Sequence, residues 1–255
     1  MTMGKIRKIG GHCIHAFLGS ARQRYESRHF LLSAIAIRCG LRMYNRHLLW
    51  YDDPESQNVW EQFPEAVGSI SERRYVLLSA ARSIANVPGD SAECGVFRGA
   101  ASFMILSSQV HAAKQHHVFD SFEGLSAPDE RDKVDPEGVH YSWQKNDLST
   151  PQAVAEKNLS AFSNVHYHRG WIPARFAEVE TRRFSLVHID VDLYQPTYDS
   201  LAFFYPRMNA GGLIVCDDYG FNTCPGAKAA FDDFFAEKPE GVIHLTTGQA
   251  LVFKR

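Results

Sequence analysis

Residues 91–102 read Ser-Ala-Glu-Cys-Gly-Val-Phe-Arg-Gly-Ala-Ala-Ser, and the fold is decided here. Ser91 to Gly95 predicts a strand and Gly99 opens a helix predicted over 99–113, so a glycine-containing turn joins strand to helix. Glycines at 95 and 99 allow backbone to come close to a bound group, and the helix N-terminus offers unpaired N–H groups to it. The spacing is not the Gly-x-Gly-x-x-Gly of a nicotinamide dinucleotide turn, which argues against a dehydrogenase.

Working outward, apolar runs predict strands at 116–120, 165–168, 186–191 and 213–216, with helices at 151–162, 172–179, 196–208 and 227–237. Alternation of this kind makes a parallel sheet with helices on both faces. The tail differs. Residues 241–248 (GVIHLTTG) and 250–255 (ALVFKR) are β-prone runs with only a turn between them, so they must pair antiparallel. The expected fold is α/β: a seven-stranded, mostly parallel sheet with an antiparallel terminal strand.

Upstream, Ser69 and Glu72 have capping-box spacing, and Leu77, Leu78, Ala81, Ile84 and Ala85 follow at helical spacing until Pro88-Gly89-Asp90. Residues 51–68, with two prolines and no clear period, read as a loop able to cover a site. Residues 1–50 carry nine basic side chains, from Lys5 to Arg46, against one acid, Glu26. They predict an N-terminal helical extension whose apolar Leu31, Leu32, Ile35 and Ile37 pack on a core or a second copy, hence a homo-oligomer; peripheral contact with an anionic membrane is the other reading. The expected organisation is a basic arm and cover loop over 1–66 and an α/β domain over 67–255.

A chain of 255 residues, 45% apolar and 22% charged, can bury a sizeable core, which excludes disorder and a small disulfide scaffold. Its net charge of -2 provides no global field for nucleic acid. Five cysteines (13, 39, 94, 216 and 224) without CxxC spacing exclude a zinc cluster and a disulfide framework and suit a reducing cytoplasm. No transmembrane segment is expected, since the apolar run 30–37 is far short of the roughly 20 residues a bilayer requires. A secretory leader is not expected either, because Lys5, Arg7 and Lys8 precede a mixed rather than apolar stretch.

In open α/β sheets, ligands bind outside the carboxyl ends of the strands. The second strand ends in Asp120-Ser121-Phe122-Glu123-Gly124-Leu125, where an acid can accept both hydroxyls of a ribose. The fourth ends in His188-Ile189-Asp190-Val191-Asp192 and the fifth in Cys216-Asp217-Asp218. Adjacent strands would bring these carboxylates together, and uncompensated carboxylates repel, so a cation is expected among them. Ligands that are all oxygen favour Mg2+ or another hard divalent ion. Capping of the following helices would need one Asp each, not four. The long connection 126–150 reads as a lid, and with Tyr51 and Trp60 it offers aromatic faces to a sugar.

The strings ECGVFRGAAS (93–102), FDSFEGL (119–125), HIDVDLYQPTYDSL (188–201) and GGLIVCDDYG (211–220) resemble the TylF/MycF-type macrocin O-methyltransferase family over roughly residues 55–255. The resemblance implies a Rossmann-like class I methyltransferase fold and S-adenosylmethionine as methyl donor. It implies that Glu93, Gly95 and Gly99 line the methionine side of that cofactor, that Asp120 and Ser121 hold the ribose, and that Gly170 and Trp171 lie near the adenine. Ala101 stands where the family often has serine, so the contact to the methionine carboxylate falls to Ser102 or to a backbone N–H. The family's metal triad maps by motif onto Asp190, Asp217 and Asp218.

The expected activity is metal-dependent methylation of a hydroxyl on a sugar or glycosylated natural product, with no nucleic-acid partner. An alcohol is a poor nucleophile until its proton is removed, and Asp190, Asp192 and His140 are the candidate bases. A catechol-type O-methyltransferase shares the same carboxylates, and an inactive cofactor-binding scaffold is the rival from another class.

Overall fold

The computed structural model describes residues 3–42, 50, 53–65, 70–109, 114–133 and 142–255. The chain divides into two compact units, residues 1–58 and 59–255. In the first, α1 (Met3–Leu18) and α2 (Ala21–Arg38) form a hairpin. Ser20 starts α2 with a reciprocal cap: its hydroxyl accepts the Gln23 N–H, and Gln23 Oε1 accepts the Ser20 N–H. Between the helices, His12 Nδ1 lies 3.1 Å from Ser27 Oγ, and Arg28 Nε donates to the Ala16 carbonyl.

A third helix, α3 (Pro54–Glu61), replaces the expected loop. Asp53 Oδ2 accepts the Ser56 N–H at 2.8 Å, and Pro54 occupies the first helical position, where its missing N–H costs nothing. The division between compact units falls at residue 58, ahead of the expected boundary at 66. Trp60 and Phe63 already belong to the second unit, buried with Phe103 and Leu159. The cap of α4 (Glu72–Ser83) is Ser71, whose hydroxyl accepts the Arg74 N–H; Ser69 lies outside the described residues.

The second unit holds a seven-stranded sheet in the order β3-β2-β1-β4-β5-β7-β6. Its strands are β1 (Asp90–Cys94), β2 (His116–Asp120), β3 (Val165–Arg169), β4 (Phe184–Ile189), β5 (Met208–Cys216), β6 (Ile243–His244) and β7 (Ala250–Phe253). The first five are parallel, and β7 runs antiparallel to both β5 and β6, as the tail requires. The helices are α5 (Ala100–Ser108), α6 (Gln152–Asn158), α7 (Tyr194–Phe204) and α8 (Pro225–Phe235). The helix expected over 172–179 is only a 3-10 turn, Phe176–Val179, and α5 stops at Ser108; residues 110–113 lie outside the described residues.

Alternation along β4 sends Val187 and Ile189 into a core with Phe119, Phe204 and Phe231, and Leu186 into another with Leu77, Ile105 and Leu213. Both faces are thus dry, as in a sheet sandwiched by helices. The chain moves outward from β1 to β2 and β3, then returns to place β4 on the other side of β1. This reversal opens a crevice at the carboxyl ends of β1 and β4.

Candidate functional site

A cavity of about 590 Å3 lies at that crevice. Its first end is built on the turn after β1. Gly95 has φ +83°, and a Cβ there would fall 1.9 Å from the Asp190 carbonyl oxygen, so only glycine lets these two strand ends meet. Gly99, at φ +90°, starts α5. Asp120, ending β2, fastens the turn: Oδ2 accepts the N–H groups of Val96 (2.8 Å) and Phe97 (3.1 Å), and Oδ1 that of Phe122 (2.7 Å). Asp120 nonetheless lines the cavity with Glu93, Gly95, Ala100, Ala101, Ser121 and Trp171.

Other expected residues are placed differently. Ser102 faces the sheet and is absent from the lining; its hydroxyl donates to Glu93 Oε2 and meets His116 Nε2 at 2.8 Å. The helix instead presents Ala100 and Ala101 to the cavity. Gly99 and Gly170 are also outside the lining, the Gly170 N–H donating to the Asp120 carbonyl. Ser121 lines the cavity, but its hydroxyl donates to the Gly124 carbonyl and accepts the Glu123 N–H. Trp60 is a core residue against Phe63, while Tyr51 and His140 lie outside the described residues. From the connection 126–150, Ser126, Trp143 and Leu148 line the cavity.

The second end is acidic. Ile189 is in register with Cys216, so the next residues, Asp190 and Asp217, leave adjacent strands side by side. Asp190, Asp192 and Asp218 line the cavity; Asp217 is buried behind them. Asp192 adopts φ +60°, a left-handed backbone uncommon outside glycine, and its N–H donates to Asp218 Oδ2 at 3.0 Å. Burial, and secondarily the neighbouring Asp190, push the Asp192 carboxyl up to about 7. Burial and then Asp192 raise Asp218 well above the ordinary carboxylate range.

Two arginines that sequence reasoning missed answer these charges. Arg73 Nη2 pairs with Asp217 Oδ2 and lies 3.8 Å from Asp218 Oδ1 and 4.0 Å from Asp190 Oδ1, and Arg74 Nη1 stands 3.7 Å from Asp217. Both occupy the first turn of α4, where the helix dipole disfavours cations, and that misplacement was the signal available in the sequence. His188 was also missed. Fully buried, it puts Nδ1 3.0 Å from Glu93 Oε1 and Nε2 3.4 Å from Asp217 Oδ1, bridging the two ends of the cavity.

Two guanidinium groups would leave Asp190, Asp192, Asp217 and Asp218 short of positive charge if all four were ionised; with no other cation the shortfall falls on Asp192 and Asp218, whose carboxyls are pushed toward the protonated form. Asp217 is fully engaged, with Oδ2 on Arg73 and Oδ1 accepting from Gln249 Nε2 at 2.6 Å, whereas His188 Nε2, 3.4 Å from Oδ1, makes no hydrogen bond. Among the described residues, donor atoms gather in two groups, His188 with Asp190 and Asp217, and Asp192 with Asp218 and Cys224. The three carboxylates of the expected triad meet at Arg73, and a hard divalent ion fits their oxygens provided that Arg73 gives way.

A family model described as macrocin-O-methyltransferase (TylF) matches residues 54–242. The chain belongs to the macrocin-O-methyltransferase (TylF) family. This TylF-family chain is 30% identical over 148 residues to the 8-demethyl-8-(2,3-dimethoxy-alpha-L-rhamnosyl)-tetracenomycin-C 4'-O-methyltransferase of Streptomyces olivaceus, a match covering 55% of this chain and 57% of the relative. It is 31% identical over 156 residues to the mycinamicin III 3''-O-methyltransferase of Micromonospora griseorubida, covering 58% and 61% respectively. The chain spans about three fifths of the length of these curated relatives. Among solved structures, the O-methyltransferase NovP aligns with a TM-score of 0.57 at 24% identity, over 78% of this chain and 88% of that one. The TylF chain therefore has the Rossmann-like class I methyltransferase fold.

Proposed function

We propose that this chain is an S-adenosylmethionine-dependent O-methyltransferase that methylates a hydroxyl of a sugar or glycosylated natural product with the help of a divalent cation. The observation that carries the reading is one cavity with a glycine turn and Asp120 at one end and Asp190, Asp192 and Asp218 at the other. The two named relatives support it, both being O-methyltransferases by name and one acting on a rhamnosyl-tetracenomycin.

S-adenosylmethionine supplies a sulfonium methyl group: an O–CH3 bond forms as S–CH3 breaks, leaving a neutral thioether and one proton to be removed. At the first end, three backbone N–H groups leave Asp120 one acceptor site, on Oδ1, which would take one ribose hydroxyl and so tie cofactor position to the glycine turn. The N–H groups at the start of α5 take the methionine carboxylate, the role that Ser102 is turned away from. Trp171, which lines the cavity, would lie beside the adenine.

At the second end, Asp190, Asp217 and Asp218 hold the divalent cation. Mg2+ bound there supplies positive charge that lowers the pKa of an acceptor hydroxyl and fixes its position. Asp192 takes the proton: it lines the cavity beside Asp190 and Asp218, and burial makes its carboxyl a stronger base than an ordinary aspartate. Trp143 and Phe221 provide apolar faces for the acceptor.

The test is methyl transfer from S-adenosylmethionine to a panel of glycosides and catechols, with Mg2+ and with EDTA. The reading expects Mg2+-dependent O-methylation of glycosides. Turnover of catechols alone, or turnover indifferent to EDTA, contradicts the acceptor class or the metal respectively.

A further inference from the structure

The geometry points to the α1–α2 hairpin as a dock for an anionic membrane surface. In α1, His12 and Ala16 face α2, whereas Ile14, Phe17 and Leu18, at i, i+3 and i+4, fall on the opposite side of the helix. These three are 61%, 78% and 85% exposed. Beyond them, Leu32, Ile35, Ile37 and Leu41 are exposed along and just past α2.

The charge of the same segment selects the occupant. Residues 1–50 hold nine basic side chains and one acid, which leaves eighteen basic and twenty-eight acidic residues in 51–255. Pairing two such hairpins in a dimer would set positive charge against positive charge. A bilayer surface accepts both features: apolar side chains enter the acyl boundary, and arginines reach the lipid phosphates. No helix among the described residues is long and apolar enough to cross a membrane, so the contact is made at the surface. The proposal is independent of the catalytic reading, because none of these residues lines the cavity.

The test is co-sedimentation of the full chain with vesicles of phosphatidylcholine alone and with roughly 30% phosphatidylglycerol added. The expected result is about tenfold more binding to the anionic vesicles, largely abolished at about 0.5 M salt. The pair Phe17→Glu and Leu18→Glu should lower that binding roughly tenfold, and Arg38→Gln with Arg42→Gln should erase the preference for anionic lipid. Helicity and thermal unfolding of each variant establish that it is folded. The net charge of -2 makes the result decisive, since a uniformly acidic protein would be repelled. Equal binding to both vesicles, or none, overturns the proposal. So does sedimentation velocity that finds a dimer broken by Phe17→Glu and Leu18→Glu without vesicle binding, which would assign the face to a second copy.

Discussion

The two ends of the cavity solve opposite electrostatic problems. At the glycine turn, the Asp120 carboxylate accepts three backbone N–H groups, so the site is assembled before any ligand arrives. At the acidic end, four aspartates face two arginines, Asp217 is held by both of them, and His188 Nε2 is buried without a hydrogen-bond partner. The first end is satisfied and rigid. The second holds like charges together on two arginines, where the proposed reading would add a cation and place the reaction.

The largest expected effect probes the acidic end. Asp218→Asn should cut methyl transfer by roughly 10^2- to 10^4-fold, while calorimetric affinity for S-adenosylhomocysteine stays within about threefold. A parallel loss of cofactor affinity would mean that the ends are not separable.

The pH profile comes next. A raised carboxyl is protonated over a wider acidic range, so the ionised fraction of Asp192 grows as pH rises. Single-turnover rates should climb about tenfold per pH unit below about 7 and level off above it, and Asp192→Asn should remove this limb along with most of the rate. A flat profile from pH 5 to 8 would move the base elsewhere.

Arg73 sharpens the contrast because it occupies the oxygens that the proposed cation would take. Removing a competing cation should tighten Mn2+ binding to Arg73→Met about tenfold, equivalent to ~1.4 kcal/mol, as read by electron paramagnetic resonance titration. Weaker binding would make Arg73 a support of the metal site rather than its competitor.

The smallest effect on binding is expected at Ser102. Ser102→Ala should leave S-adenosylhomocysteine affinity within about twofold but cost ~1–3 kcal/mol of stability in urea unfolding, because Glu93 Oε2 loses its donor inside the core. A large loss of affinity with stability intact would return Ser102 to the cofactor.

The strand ends were legible in the sequence because apolar runs stop at charged residues there, and register alone then puts Asp190 beside Asp217. The antiparallel tail was legible because its connection is too short for a crossover. The missed features turn on local context. Pro54 was read as a breaker, although after the capping Asp53 it occupies the one helical position that favours proline. Ser102 follows a turn that suits a ligand, yet the phase of α5 points it at Glu93, and phase depends on packing rather than composition. Arg73 and Arg74 carry no motif of their own; only the fold sets them against the ends of β4 and β5.

The central claim is that one cavity keeps its cofactor end distinct from its carboxylate end. Its most direct test is calorimetric titration of S-adenosylhomocysteine into wild type, Asp120→Ala and Asp217→Ala. The account predicts one site in wild type, affinity about 10- to 150-fold weaker in Asp120→Ala, and affinity nearly unchanged in Asp217→Ala. No binding to folded wild type, or equal binding by wild type and Asp120→Ala, would contradict it.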